Sequence, residues 1–186
     1  FIGDTCVGKT CIINKFIRGT FDPNETQTVG GFYDSYSEVY ENQVVEIQIW
    51  DTAGQEQYRS IATSYIKGSN AAIIVYSVDD RQTFETTQQW IETIKSIADQ
   101  DILIFLVANK IDLDREINKS EGEAKANEFN AKYFEVSAKT GYNINDLFTE
   151  ISVDFLNQVR KNNATQQAVT VNISTPNQQQ KKGGCC

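Results

Sequence analysis

Short apolar runs alternate with stretches of helical periodicity along this chain. "VVEIQIW" (44–50), "AAIIVY" (71–76), "ILIFLVA" (102–108) and "KYFEVS" (132–137) predict strands, and residues 32–41 predict another that reaches a turn at Glu41-Asn42. The runs at 71–76 and 102–108 are apolar at every position, as expected of central strands covered on both faces. Helical patterns lie near 9–18, 81–98, 120–130 and 143–160. In the last, Ile144, Leu147, Phe148, Ile151 and Phe155 recur on one face and read as core packing. Strand–helix alternation of this kind predicts a doubly wound α/β sheet, with ligands at the carboxyl ends of the strands. From about Asn162 the text turns to "NNATQQAVTVNISTPNQQQKKGGCC", rich in Gln and Asn. The expected organisation is therefore one domain over 1–160 and a flexible tail over 161–186.

Composition narrows the chemistry. A net charge of −8 argues against nucleic acid as a partner, because phosphate affinity comes from clustered Lys and Arg. Histidine is absent, which removes Ser-His and Cys-His nucleophile pairs, His-ligated zinc and the commonest general base. Catalysis would run on carboxylates, amides, backbone N–H groups and a metal held by oxygens. The cysteines, Cys6, Cys11, Cys185 and Cys186, show neither C-x-x-C spacing nor a disulfide frame, which suits a reducing compartment. No apolar run is long enough to span a bilayer. There is no methionine, and only Phe1 and Ile2 precede the first motif, so the expectation is a chain whose first strand is largely missing.

That first motif is "GDTCVGKT", with Gly3, Gly8, Lys9 and Thr10 at G-x-x-x-x-G-K-[ST] spacing. Its glycines permit backbone conformations that turn successive N–H groups inward on phosphate oxygens. Lys9 adds a point charge for the β/γ-phosphates, Thr10 a hydroxyl for Mg²⁺, and the following helix its positive end. "NKID" at 109–112 leaves the end of a strand, placing Asn109 and Asp112 on the phosphate loop's side of the sheet. A carboxylate at Asp112 can accept from both the ring N–H and the exocyclic amine of guanine, which adenine cannot match, a polar mismatch worth about 10⁴ in discrimination. "SAK" at 137–139 ends the next strand and offers the Ala138 N–H to the guanine carbonyl. In "WDTAGQE" (50–56), Asp51 can hold the Mg²⁺ shell, Gly54 can face a γ-phosphate, and Gln55 can orient a water for in-line attack.

Together "GDTCVGKT", "TVGGF", "WDTAGQE", "NKID", "EVSAK" and the terminal "GGCC" resemble the Rab small GTPases of the Ras superfamily, over essentially the whole chain. Trp50 and the Cys-Cys ending favour Rab over Ras or Rho, and "TVGGF" with "AAIIVY" is similar to the endocytic type. The resemblance implies a P-loop NTPase small G domain, a six-stranded, mostly parallel sheet with helices on both faces. It implies nucleotide contacts from Gly3, Asp4, Thr5, Cys6, Val7, Gly8, Lys9, Thr10, Cys11, Phe21, Thr28, Gly54, Asn109, Lys110, Asp112, Ser137, Ala138 and Lys139, with Phe21 edge-on to the base and Lys110 along its plane. Thr10, Thr28 and Asp51 would serve Mg²⁺, Thr28 only in the GTP state, and Gln55 would be the catalytic glutamine. Cys185 and Cys186 match a double-geranylgeranyl signal. The implied protein is a slow GTPase that recruits effectors in vesicle trafficking. It would be switched by an exchange factor and an activating protein, and carried by a dissociation inhibitor or escort. Its place would be the cytoplasmic face of intracellular membranes, endosomal for the endocytic type, in exchange with cytosol. Cys6 stands where the family commonly has glycine, and Gln57 where arginine is common after "GQE". A metabolic phosphate-loop kinase or ATPase, and a guanine-nucleotide scaffold that never hydrolyses, are the competing readings.

Overall fold

A computed structural model describes residues 1–28, 31–54, 64–98 and 101–171, with side chains to residue 163. In chain order the elements are α1 (Lys9–Arg18), β1 (Gly31–Tyr40), β2 (Gln43–Thr52), β3 (Ala71–Ser77), α2 (Arg81–Ile97), β4 (Leu103–Asn109), α3 (Lys119–Glu128), β5 (Lys132–Glu135) and α4 (Ile144–Val171).

β3, β4 and β5 form a parallel sheet in that order, while β1 and β2 form an antiparallel hairpin paired from Gly31↔Thr52 to Tyr40↔Gln43. Glu41 and Asn42 at its tip both have positive φ, 47° and 64°, the backbone that a tight two-residue hairpin turn demands. The position of a further strand between β2 and β3 is held by Phe1 and Ile2 alone. The Phe1 nitrogen donates to Trp50 O at 2.8 Å, and Thr52 Oγ1 donates to Phe1 O at 2.8 Å. On the other side Ile2 N donates to Ile73 O, and Val75 N to Ile2 O, both at 2.9 Å. The expected six-stranded sheet is thus a hairpin and a three-stranded parallel sheet joined by these two residues. Beside them a cleft of about 430 Å³ opens between β2 and β3.

Strand alternation divides the core. Ile74, Tyr76, Leu106 and Ala108 face one side and pack with Phe84, Trp90, Ile91 and Ile94 of α2. Ile73, Val75, Phe105 and Val107 face the other and pack with Ile12 and Ile13 of α1 and with Ile144, Leu147, Phe148 and Ile151 of α4. Ile144, Leu147, Phe148 and Ile151 of the α4 stripe are core, as the spacing predicts, while Phe155 is half-buried at the cleft beside β2. Phe16 of α1 stacks on Phe148 with ring centroids 3.6 Å apart.

Most boundaries shift by a residue or two, and β2 extends over Gln43–Thr52 rather than 44–50. Asn118 precedes α3, so the helix starts one residue before the expected 120. β5 stops at Glu135, where the chain leaves for the 137–139 loop. α4 runs to Val171 rather than ending near 160, because the polar stretch after Arg160 contains no Gly or Pro before Pro176. Among the described residues no helix is long and apolar enough to cross a membrane.

Candidate functional site

The carboxyl ends of β2, β4 and β5 and the start of α1 frame a cleft of about 450 Å³. Gly8 caps α1 in the left-handed region (φ 93°), which aims the first turn's free N–H groups at the cleft. A Cβ on Gly8 would lie 2.4 Å from Asn109 Nδ2, so close approach as well as φ requires glycine there. Cys6 also sits at positive φ, 62°, without glycine's freedom. Lys9 is 5% exposed, and its Nζ donates to Gly3 O (2.8 Å) and Asp4 O (2.7 Å). Burial pushes its ammonium down to about 8, against the opposing pull of Asp51 and Asp4. A buried cation beside free N–H groups is an arrangement made for a polyanion.

At the Thr10 end, Thr10 Oγ1 donates to Asp51 Oδ2 at 2.6 Å. Thr28 Oγ1 lies 2.8 Å from Thr10 Oγ1 and 3.3 Å from the same carboxylate oxygen. Asp51 is buried, and its Oδ1 has no hydrogen-bond partner among the described residues. One orphaned carboxylate oxygen beside two hydroxyls, at the mouth of an anion cradle, is the donor set of a hard cation that keeps most of its shell for water and phosphate. Mg²⁺ fits this better than a caged metal would. Among the described residues no three His, Cys, Asp or Glu side chains gather as such a cage. Gly54 approaches the phosphate loop so closely that a Cβ would lie 2.3–2.4 Å from the Asp4 carbonyl group and Thr5 N.

At the opposite end Asn109, 1% exposed, ties two loops to β4. Its Nδ2 donates to Val7 O at 2.8 Å, and its Oδ1 accepts from Ala138 N at 3.2 Å. The Ala138 N–H, expected to face a base carbonyl, is therefore spent on Asn109 in this structure. Asp112 Oδ1 accepts from Ser137 Oγ at 2.6 Å, and its Oδ2 lies 3.7 Å from Lys139 Nζ. The Ser137 hydroxyl accepts in turn from Thr140 N. The carboxylate is thus held at the cleft wall with an acceptor edge left over.

Of the residues read from sequence, Thr5, Cys6, Gly8, Lys9, Thr10, Cys11, Phe21, Thr28, Gly54, Asn109, Lys110, Asp112, Ala138 and Lys139 line this one cleft. Gly3, Asp4, Val7 and Ser137 stand behind the wall and act through Lys9, Asn109 and Asp112. Gln55, Gln57, Cys185 and Cys186 lie outside the described residues. Phe32 is 62% exposed, while Trp50 stacks on Tyr65 with ring centroids 4.6 Å apart. Leu113 and the segment Asp22, Pro23, Glu25, Thr26 and Gln27 also line the cleft. Their sequence signal, a polar loop running into Thr28, marks a loop but not a wall.

Four strand-end loops thus converge on a cleft with a cation at one end, a hydroxyl–carboxylate cluster beside it and a fixed acceptor carboxylate at the other. Compared with models of protein families, the chain matches the one described as the Ras family over residues 1–157. That match spans the strands, the loops of the cleft and most of the described chain, and this chain belongs to the Ras family of small GTPases.

Proposed function

We propose that this chain is a Rab-type switch that binds GTP and GDP, hydrolyses GTP slowly, and gathers effectors on an intracellular membrane. The observation that supports it best is one cleft lined by Lys9, by Thr10 and Thr28 with Asp51 behind them, and by Asp112, an arrangement suited to a phosphate chain, a hard cation and a base. Lys9 and the N–H groups opening α1 bind the phosphates. Asp112 reads the ring N–H and amine of guanine. Phe21 and Lys110 flank the base, and Thr28, whose hydroxyl lies beside Thr10 and Asp51, would hold its loop to the cation and a third phosphate. Bound Mg²⁺, held by Thr10, Thr28 and Asp51, would neutralise the phosphates as charge develops. Gln55 orients the attacking water.

No arginine lines the cleft among the described residues. Hydrolysis of this type without one proceeds at roughly 10⁻⁴ s⁻¹, a barrier of about 22 kcal/mol, and an arginine from an activating protein lowers it by about 7 kcal/mol. Such a catalyst is a timer, reset by an exchange factor and read by effectors at segments 20–32 and 51–66. The tail supplies the anchor. Geranylgeranyl groups on Cys185 and Cys186 satisfy the two-signal rule for stable attachment, with Lys181 and Lys182 adding attraction to anionic lipid and a dissociation inhibitor or escort covering the lipids in cytosol. An endosomal membrane is the address the endocytic-type motifs favour.

The test is to purify the chain, denature it and identify the released nucleotide by chromatography, then to compete labelled GTP with ATP. Stoichiometric guanine nucleotide with no displacement by ATP supports the reading, and ATP displacement at equal concentration overturns it in favour of a kinase or ATPase. Single-turnover hydrolysis no faster than in Gln55→Leu would favour the scaffold.

A further inference from the structure

Trp90 lies in α2, 1% exposed in the core, and is not among the residues that line the cleft. Its indole Nε1–H donates to Asp4 Oδ1 at 3.3 Å, across 86 residues of sequence. A buried indole N–H calls for an acceptor, and a carboxylate is a strong one. Asp4 is a junction of the phosphate loop. Its carbonyl oxygen accepts from Lys9 Nζ at 2.7 Å, and the same carbonyl is the surface that Gly54 approaches too closely for any Cβ. The side chain of this residue is thus fixed from α2, while its main chain sets both the cradle lysine and the start of the 54 segment.

We infer that Trp90 is a positioning residue for the nucleotide site: through Asp4 it holds the phosphate loop in the geometry that orients Lys9 and seats Gly54. The inference rests on the nucleotide reading above. It makes α2 a mechanical support of the phosphates, so that a force on α2 reaches Lys9 without touching the ligand. Loss of this bond leaves the Asp4 carbonyl free to drift and the buried Lys9 cation without one of its two fixed oxygens. The result is faster release of the diphosphate.

The experiment measures GDP release in Mg²⁺ for the full chain and for Trp90→Phe, Asp4→Ala, Asp4→Asn and the Trp90→Phe/Asp4→Ala double variant. Trp90→Phe keeps most of the ring's packing but has no N–H. The expected result is about tenfold faster release for Trp90→Phe and for Asp4→Ala. The double variant should be no more than about twofold faster than the faster single one. Asp4→Asn, which keeps an oxygen acceptor but loses the charge near Lys9, should recover at least half of the Asp4→Ala loss on a logarithmic scale. An Asp4→Asn variant as fast as Asp4→Ala would assign the effect to charge and overturn the inference. Factors that multiply to about a hundredfold in the double variant would overturn it too. The indole N–H resonance of Trp90, assigned by its loss in Trp90→Phe, gives a readout independent of nucleotide. It should move in Asp4→Ala and stay nearly in place in Asp4→Asn. If the wild-type chain binds no guanine nucleotide, the functional reading fails while that resonance still reports the bond.

Discussion

Cys6 holds a backbone conformation that its side chain opposes. At φ 62° an L-residue bears a penalty of roughly 1–2 kcal/mol that glycine does not. Its neighbours Gly3 and Gly8, in the same loop, do have glycine's freedom at their own positive φ values of 140° and 93°. Cys6→Gly is therefore expected to stabilise the protein by about 1 kcal/mol in denaturant unfolding, whereas Cys6→Ala, equally strained, should gain nothing. Two residues past Gly8, Thr10 brings a different kind of constraint. Its hydroxyl spans Thr28 and Asp51 at 2.8 and 2.6 Å, so replacing it by Asn disturbs the cation cluster more than the phosphate cradle. Thr10→Asn should weaken GTP by about tenfold more than GDP in excess Mg²⁺. After chelation of the metal the variant and the wild type should converge. Equal losses for both nucleotides in Mg²⁺ would place Thr10 outside the metal's reach.

Among the elements, Glu121 ties two helix starts together. One of its oxygens accepts from Asn118 N at 3.0 Å at the head of α3. The other accepts from Arg81 Nη1 at 2.6 Å at the head of α2. The Arg81 bond, followed by that from Asn118, holds its carboxyl well below the ordinary 4.5, at about 2. A depressed acid contributes stability above its unfolded pKa and loses it as pH falls through the folded one. The contribution should therefore be whole above about pH 4.5 and fade toward pH 2. Glu121→Gln keeps the cap to Asn118 but gives up the ion pair. Its melting temperature should fall below wild type at pH 7, and the gap should close as pH approaches 2; a gap constant across that range would mean the ion pair contributes nothing. None of this tie was legible in the sequence, where Glu121 is one charge in a polar run. The helices themselves were legible because 81–98 and 144–155 carry buried residues at helical spacing. The end of α4 was not, since polar residues without Gly or Pro are compatible with helix and with tail alike.

Over the whole molecule, what was legible is the set of loops, and what was hidden is how they are knitted. Gly8, Lys9 and Thr10, Asn109 and Asp112, and Ala138 announce themselves by motif, and all of them line one cleft. That Asn109 spends its amide on Val7 O and its oxygen on Ala138 N is a fact of three dimensions, joining residues 102 and 29 positions apart. Its amide groups are buried, so truncation leaves a donor and an acceptor unsatisfied on two loops, at about 1–3 kcal/mol for each. Asp112 differs: its carboxylate faces the cleft wall and is held by Ser137, with no bond to the phosphate loop. The two residues, three apart in sequence, should therefore fail in different ways. Asn109→Ala should weaken GDP and inorganic pyrophosphate alike, by about tenfold or more, because it loosens the cradle as well as the base loop. Asp112→Asn, which turns an acceptor into a donor facing donors, should weaken GDP by about 10² and leave pyrophosphate within threefold. Calorimetric titration of both ligands into both variants separates the roles. If Asn109→Ala spares pyrophosphate, the knot at Val7 does not support the cradle; if Asp112→Asn leaves GDP within threefold, the base is not read by that carboxylate. One substitution would then be reporting the architecture that brings the loops together, and the other the contact that makes the cleft selective.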